Sequence, residues 1–289
     1  MTRRDAILAL WATCLIWGAA FPLGKLALQD ATPMAFTAAR FVIATLLLSP
    51  WITLPTRAEW RAGGILGALL ALGFATQTIG LGITTASRSG FLTALYIPFT
   101  PLIVFAVYRR RPGRLGTIGL ALGLTGLLLL TRPGTLAGGF NRGDLLTVAC
   151  AACFAAHMVA TGTLARRHPP ARLMITQIAT ATLFTLAFLP LLETPVIHPT
   201  PALIAIIGYE AILASVIALR LQLAAQQVLS PTYTALIYTL EPVIAAVASY
   251  LITGDRLTPL QWGGGALILT GSLLPEFSTT STHESGAEP

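Results

Sequence analysis

The stretch RSGFLTALYIPFTPLIVF at residues 88–105 decides the fold, because a related stretch returns later in the chain as SPTYTALIYTLEPVIAAV at 230–247. Both are strongly apolar, and they align with Pro101 on Pro242. Membrane helices tolerate such internal prolines because neighbouring helices satisfy the backbone groups that a proline frees. The pair therefore predicts membrane-spanning helices in two related halves.

The composition of the 289 residues agrees with a membrane protein. Only 10% are charged and 55% are hydrophobic, with a mean hydropathy of +0.76, whereas soluble proteins carry about 25% charged residues. So few charges cannot cover a water-exposed surface, which argues against a soluble enzyme. Apolar runs near the spanning length of about 20 residues lie at 6–28, 33–54, 62–83, 88–108, 115–131, 144–165, 173–192, 201–227, 231–253 and 259–274.

These runs form two groups of five, and GLALGLTG at 119–126 resembles GGALILTG at 264–271. Because five is odd, the second group must enter the membrane from the opposite side, as in the inverted repeats of alternating-access transporters. We expect an all-α membrane protein with ten transmembrane helices, arranged as two inverted five-helix repeats around a central cavity. The first repeat is expected at 1–139, the second at 140–274, and a disordered cytoplasmic tail at 275–289.

The net charge of +7 is explained by orientation signals for membrane insertion. Of the 18 basic residues 17 are Arg, and most lie in short clusters between the apolar runs. Over alternate connections, one side of the predicted membrane holds 11 basic residues and the other holds 4. The richer side is cytoplasmic by the positive-inside rule, so both termini are expected there, and no nucleic-acid partner is expected.

Motifs in both halves carry a family resemblance: IWGAAFPLGKLAL (16–28), TPMAFTAARFVIATLLL (32–48), TTASRSGFLTALYIPFTPL (84–102), PTYTALIYTLEPVIAAV (231–247) and GDRLTPLQWGGGALILTGSLL (254–274). Together they resemble the drug/metabolite transporter superfamily, and the last is especially similar to its EamA-type members. The segment at 84–102 is most similar to YddG-type exporters of aromatic amino acids. The resemblance implies ten helices in two inverted repeats, with a cavity built from spans 1, 3, 4, 6, 8 and 9.

Glu241 is the strongest candidate for a functional charge. It lies ten residues into the ninth run, which places it roughly 15 Å deep, and charges near the bilayer centre are costly. It can bind a substrate ammonium group, carry a proton, or serve as a structural carboxyl bonded by another helix.

Aromatic and polar side chains of the predicted cavity helices are the other candidates for substrate binding. Trp17 and Phe21 lie one helical turn apart on the first span. The remaining candidates are Gln77, Tyr96, His157 and Tyr238, together with Gln222. Such a lining suits an amphipathic solute better than a polyanion. Ordinary packing between helices is the alternative interpretation of each aromatic ring.

Prolines inside the runs are predicted hinges, because each removes a backbone donor and kinks its helix. They are Pro22, Pro98, Pro101 and Pro242. Kinks that serve packing alone are the alternative.

Two cations inside the apolar runs admit structural interpretations. Lys25 lies near the outer end of the first span, where it reaches the interface by snorkelling or pairs with a carboxylate. Arg40 needs an internal partner, with Asp30 and Glu210 as candidates. The second span, which carries Arg40, is peripheral by analogy with the family.

The expected function is a secondary transporter that exports small metabolites, above all aromatic or neutral amino acids, across a bacterial inner membrane by alternating access. A sugar or nucleotide-sugar exchanger or a drug exporter of the same superfamily is the alternative. An intramembrane enzyme and a lipid- or peptide-binding receptor have less support. No catalytic constellation, metal site or cofactor is expected. The expected partners are a small-molecule substrate and membrane lipid, and the chain is expected as a monomer or a weak homodimer.

Overall fold

A computed structural model describes residues 1–49, 54–84, 86–109, 113–130, 141–254 and 258–274. The helices are α1 (Arg3–Ala27), α2 (Pro33–Leu48), α3 (Arg57–Ile83), α4 (Ala86–Thr93), α5 (Tyr96–Tyr108), α6 (Arg114–Leu130), α7 (Arg142–Leu164), α8 (Pro170–Leu192), α9 (Pro201–Tyr209), a π-helical segment (Glu210–Ile217), α10 (Ala218–Ala225), α11 (Pro231–Ile237), α12 (Leu240–Thr253) and α13 (Pro259–Leu273). The predicted all-helical architecture is confirmed for these residues. The predicted tail at 275–289 and the predicted boundary at 139 lie outside them.

Seven helical stretches of the described residues are long and apolar enough to cross a membrane: Arg3–Ala27, Arg57–Ile83, Ser89–Tyr108, Arg142–Leu164, Pro170–Leu192, Pro201–Ala225 and Pro231–Ile252. The helices α2, α6 and α13 lie where the other three spans are predicted, but they are shorter, with 16, 17 and 15 residues. A span needs about 20 apolar residues, so the count of ten spans stays a prediction.

Three of the long helices begin in the same way, with a side chain that satisfies the free amide groups of the first turn. The capping boxes pair Thr2 with Asp5 in α1, Thr56 with Glu59 in α3, and Asn141 with Asp144 in α7. These polar residues mark where each apolar run starts.

Small residues allow the helices to approach closely within the chain. A Cβ atom on Gly63 or Gly67 of α3 would collide with Thr176 or Gln177 of α8, respectively. Likewise, Gly119 of α6 faces the backbone of Gly271 in α13, where a Cβ would lie 2.5 Å from the carbonyl oxygen. These glycines therefore serve contacts between helices of this chain.

Two of the predicted spans are broken in the same manner. The Ala94 N–H bonds the Gly90 carbonyl, and the Ile97 N–H bonds the Ala94 carbonyl. The same pattern recurs 144 residues later, where the Tyr238 N–H bonds Thr234 and the Glu241 N–H bonds Tyr238.

This hydrogen-bond pattern corrects the alignment made from sequence. Pro242 lies four residues after Tyr238, and its counterpart four residues after Ala94 is Pro98. Pro101, which the sequence alignment matched with Pro242, lies instead in the interior of α5.

Candidate functional site

A cavity in the helix bundle encloses about 770 Å³ of empty space, a volume that includes the open space at its mouth. The structure places all seven predicted substrate-binding residues on its wall, with Gln222 beside them: Trp17, Phe21, Gln77, Tyr96, His157, Tyr238 and Glu241. The wall is mostly apolar and aromatic with a few polar groups, which is the usual composition of a ligand pocket.

Trp17 is held in place by the π-helical segment. Its indole Nε1 donates a hydrogen bond of 2.9 Å to the Ala214 carbonyl. In this segment the Ala218 N–H bonds the Leu213 carbonyl, five residues back rather than four, and the return to α-helical spacing leaves one carbonyl at this turn without a backbone donor. The Trp17 ring also meets the Tyr238 ring edge-on, with the centroids 5.4 Å apart.

Glu241 is bonded by a tyrosine from the other half of the chain. The Tyr96 hydroxyl donates to Glu241 Oε2 at 2.7 Å, and it lies 3.3 Å from the Tyr238 carbonyl oxygen. This carbonyl also accepts the Glu241 N–H at 3.0 Å, because Pro242, four residues further on, has no N–H to donate. Both tyrosines lie at the helix breaks, so the hydrogen bond joins the two broken spans across the cavity wall.

Arg40 forms an ion pair with Glu210, one of its two predicted partners, at 2.9 Å between Nη1 and Oε2. Its Nε donates to Ser215 Oγ at 3.1 Å, and its guanidinium carbon lies 4.3 Å from the centroid of the Phe74 ring. Both partners of the ion pair are almost completely buried.

The interpretation of the second span as peripheral is wrong. Phe36 and Arg40 of α2 lie on the cavity wall, because the ion pair with Glu210 holds α2 against the π-helical segment. Phe74 and Phe154 also line the cavity, and their rings meet edge-on at 5.0 Å. No sequence signal singles these two rings out from the other apolar residues of their helices.

The polar members of the wall are bonded to neighbouring side chains. His157 Nε2 lies 3.2 Å from Gln177 Oε1 of α8. Gln77 donates to the Thr93 hydroxyl at 3.4 Å, and Gln222 donates to Gln226 at 3.3 Å.

Lys25 does not line the cavity, and simple snorkelling does not describe it. Its Nζ donates to the Leu81 and Thr84 carbonyls, each at 2.7 Å. A cation at the end of a helix satisfies free carbonyls and suits the helix dipole, so Lys25 caps α3.

The predicted hinge prolines occupy different settings. Helix α1 continues through Pro22, next to the cavity residue Phe21. Pro98 and Pro242 each follow a helix break, whereas Pro101 lies inside α5. Pro22 therefore adjoins the cavity wall, and Pro98 and Pro242 adjoin a helix break, whereas Pro101 adjoins neither.

Comparisons with known proteins agree on one family. The model of the EamA-like transporter family matches residues 5–132 and again residues 141–275. An uncharacterized transporter of Archaeoglobus fulgidus is 30% identical over 272 residues, which is 94% of this chain and 86% of that protein. A probable amino-acid metabolite efflux pump of Salmonella typhimurium is 26% identical over 96% of both chains.

Two further similarities extend over most of the chain. The uncharacterized inner membrane transporter YedA of Escherichia coli K12 is 23% identical, over 88% of this chain and 85% of YedA. A crystal structure of another protein superposes with a TM-score of 0.76 at 19% identity, covering 97% of this chain and 99% of that one. This second similarity concerns the fold alone.

Proposed function

Because the chain belongs to the EamA-like transporter family and is thus a membrane transporter, we propose that it exports small metabolites, chiefly aromatic and neutral amino acids, across a bacterial inner membrane. The observation that carries this proposal is the cavity, whose aromatic wall contains the Glu241 carboxylate beside a hydroxyl donor, while its second carboxylate, Glu210, is paired with Arg40. The amino-acid metabolite efflux pump among the relatives supports the same substrate class.

The proposed architecture is ten spans in two inverted repeats, with both termini in the cytoplasm. The recurrence of one hydrogen-bond pattern at the two helix breaks supports the repeat. So does the double match of the family model, at 5–132 and 141–275. The proposed orientation rests on the bias of 11 basic residues to 4.

The proposed mechanism is alternating access, driven by a solute or ion gradient. In the half of the bundle where α1 begins, Leu10, Leu229 and Ile237 belong to one packed apolar cluster, which is the proposed closed gate of that side. Opening requires α1 and α11 to separate there, and the breaks beside Pro98 and Pro242 are the positions at which the broken spans bend. Glu241, at the second break, is the proposed carrier of a coupling proton.

The cavity disfavours the alternative of a nucleotide-sugar exchanger. Phosphate-bearing substrates need several available cations. Of the described residues, Lys25 caps α3 and Arg40 is paired with Glu210. A drug exporter stays the second candidate, because its substrates share the aromatic and apolar character of the wall. The proposal includes no cofactor and no chemical step, and the ligands are the transported molecule and surrounding lipid.

Counterflow in proteoliposomes tests the proposed function. Vesicles loaded with unlabelled phenylalanine should accumulate external labelled phenylalanine, whereas protein-free vesicles should not. Labelled glucose serves as the control solute and should not accumulate in vesicles loaded with glucose. Counterflow of glucose but not of any amino acid would contradict the proposal.

A further inference from the structure

The charges of the cavity are unequal in their availability to a ligand. Among the described residues of its wall, Arg40 is the one cation, whereas Glu210 and Glu241 are both carboxylates. When all three are ionised, the wall carries one net negative charge. The question for substrate recognition is which of these groups has free hydrogen-bonding positions.

Arg40 has no position to offer. Nη1 is paired with Glu210 and Nε with Ser215, and the guanidinium face lies against Phe74. The remaining nitrogen, Nη2, has no hydrogen-bond partner, yet it has essentially no accessible surface. A substrate carboxylate therefore cannot reach the guanidinium group without breaking its packing on Phe74 or its ion pair.

Glu241 offers one free position. Oε2 accepts the Tyr96 hydroxyl at 2.7 Å. Oε1 accepts no hydrogen bond from the described part of the chain, and it is absent from the polar atoms that are completely enclosed, so it faces the cavity. A carboxylate held at one oxygen and open at the other is suited to an ammonium group.

The aromatic rings beside this carboxylate complete the site. Tyr96 bonds Glu241 directly, Tyr238 packs edge-on against Tyr96 at 6.2 Å, and Trp17 packs edge-on against Tyr238. Aromatic faces attract a cation and bury an apolar ring. The described wall thus provides recognition for an aromatic ring and for a positive charge, and no available cation for a carboxylate.

From this imbalance we infer that the cavity recognises its substrate through an ammonium group and an aromatic body, so that aromatic amines without a carboxylate are ligands as good as the amino acids themselves. This inference rests on the proposed function and names the chemical groups of the substrate that the cavity recognises. It assigns the ammonium contact to Glu241 Oε1. The substrate carboxylate is left without a charged partner in the described wall.

Three phenyl compounds test the inference on the purified full chain in detergent, where permeation has no influence. They are phenylalanine, 2-phenylethylamine, which lacks the carboxylate, and 3-phenylpropanoate, which lacks the ammonium group. Isothermal titration calorimetry should give phenylethylamine a Kd within about tenfold of that of phenylalanine. The Kd of phenylpropanoate should be weaker by about tenfold or more, the factor expected for one lost hydrogen bond to a charged group.

Two variants locate the ammonium contact. Glu241→Gln should remove the preference for phenylethylamine over phenylpropanoate, and Tyr96→Phe, which keeps the carboxylate, should retain it. Equal binding of phenylethylamine and phenylpropanoate by the wild-type protein would overturn the inference. So would a preference that survives in Glu241→Gln, or tight binding of phenylpropanoate with loss of phenylethylamine.

The outcome for the proposed function is read separately. Phenylalanine counterflow together with binding of phenylpropanoate but not phenylethylamine would refute the inference and leave the transport function standing. Binding of phenylalanine and phenylethylamine in preference to phenylpropanoate, without counterflow of any amino acid, would refute the proposed function. It would support the inference that the cavity recognises an ammonium group and an aromatic body.

Discussion

Glu241 combines three properties at the scale of a single residue. It is 6% exposed, it is bonded by Tyr96 across the two halves, and it directly precedes Pro242. Besides Tyr96, the titratable groups that interact electrostatically with Glu241 are Tyr238, Cys14 and Cys150. Since tyrosines and thiols are ordinarily uncharged at neutral pH, Glu241 is the member of this group best suited to bind a proton during transport.

Replacing Glu241 with glutamine should imitate the protonated state permanently. In Glu241→Gln we expect phenylalanine counterflow to persist at saturating phenylalanine, because exchange needs no net proton movement, while accumulation driven by a pH jump disappears. Both are measured in the same proteoliposomes. If Glu241 only stabilised its helix, the variant would have a lower melting temperature, and its transport would keep the pH dependence of the wild-type protein. A variant unaltered in both measurements would contradict either role.

Trp17 is expected to set the preference for aromatic substrates. In Trp17→Ala the apparent affinity for phenylalanine should fall by about tenfold and that for alanine by less than about twofold, because the lost contact is ring area. Trp11→Ala is the matched control, since Trp11 is an exposed residue of the same helix. An equal loss for phenylalanine and alanine in a folded variant would show that Trp17 does not determine selectivity.

The ion pair of Arg40 and Glu210 should stabilise the fold. Arg40→Met leaves a buried carboxylate without its partner, which typically costs about 3–5 kcal/mol in the free energy of unfolding. The double variant Arg40→Met/Glu210→Leu should recover most of this loss. Chemical unfolding in detergent measures both, with the exposed Arg220→Met as control. An unchanged stability of Arg40→Met would contradict the structural role.

Much of the site could be predicted at this scale, because polar and aromatic residues stand out in an apolar chain. The partners were harder to predict. Tyr96 and Glu241 are 145 residues apart, and no local spacing joins them. The role of Lys25 depends on where α3 ends. The orientation of Phe74 towards the cavity depends on helix packing, which a uniformly apolar sequence does not specify.

At the scale of the helices, the lengths of the apolar runs predicted where the helices lie better than they predicted the irregularities inside them. The predicted run at 201–227 corresponds to α9, the π-helical segment and α10. The extra residue of a π-turn has no composition signal in an apolar run. The two helix breaks were indicated by proline, but the hydrogen bonds of the break, rather than the sequence alignment, identify Pro98 as the counterpart of Pro242.

A deletion tests the π-helical segment. Removing the exposed Ile212 should convert the segment into a regular α-helix without rotating its flanks, because a π-turn holds one residue more than an α-turn. The deletion variant should therefore fold, with a melting temperature within roughly 5 °C of the wild type, but lose aromatic transport as the Ala214 carbonyl becomes occupied. Deletion of the exposed Leu183 in regular α8 is the control and should prevent folding. Equal damage by both deletions would contradict the role of the segment.

At the scale of the whole molecule, the described helices place residues from both halves of the chain around one cavity. The resemblance to the drug/metabolite transporter superfamily is confirmed by the family match. The predicted inverted arrangement rests on the odd number of predicted spans per half. Composition sufficed to predict a membrane protein, whereas the substrate depends on contacts within the cavity.

We propose that this cavity is the path of the substrate. Ala20 lines the cavity, and Ala20→Cys in a chain whose Cys14, Cys150 and Cys153 are replaced by alanine gives one thiol there. The decisive measurement is the rate at which a small alkylating reagent modifies this thiol with and without saturating phenylalanine. The control is Gln29→Cys, in the exposed connection between α1 and α2. Phenylalanine should slow alkylation at position 20 by about tenfold and leave position 29 unchanged. An unaltered rate at position 20, under conditions in which phenylalanine counterflow is observed, would contradict the claim.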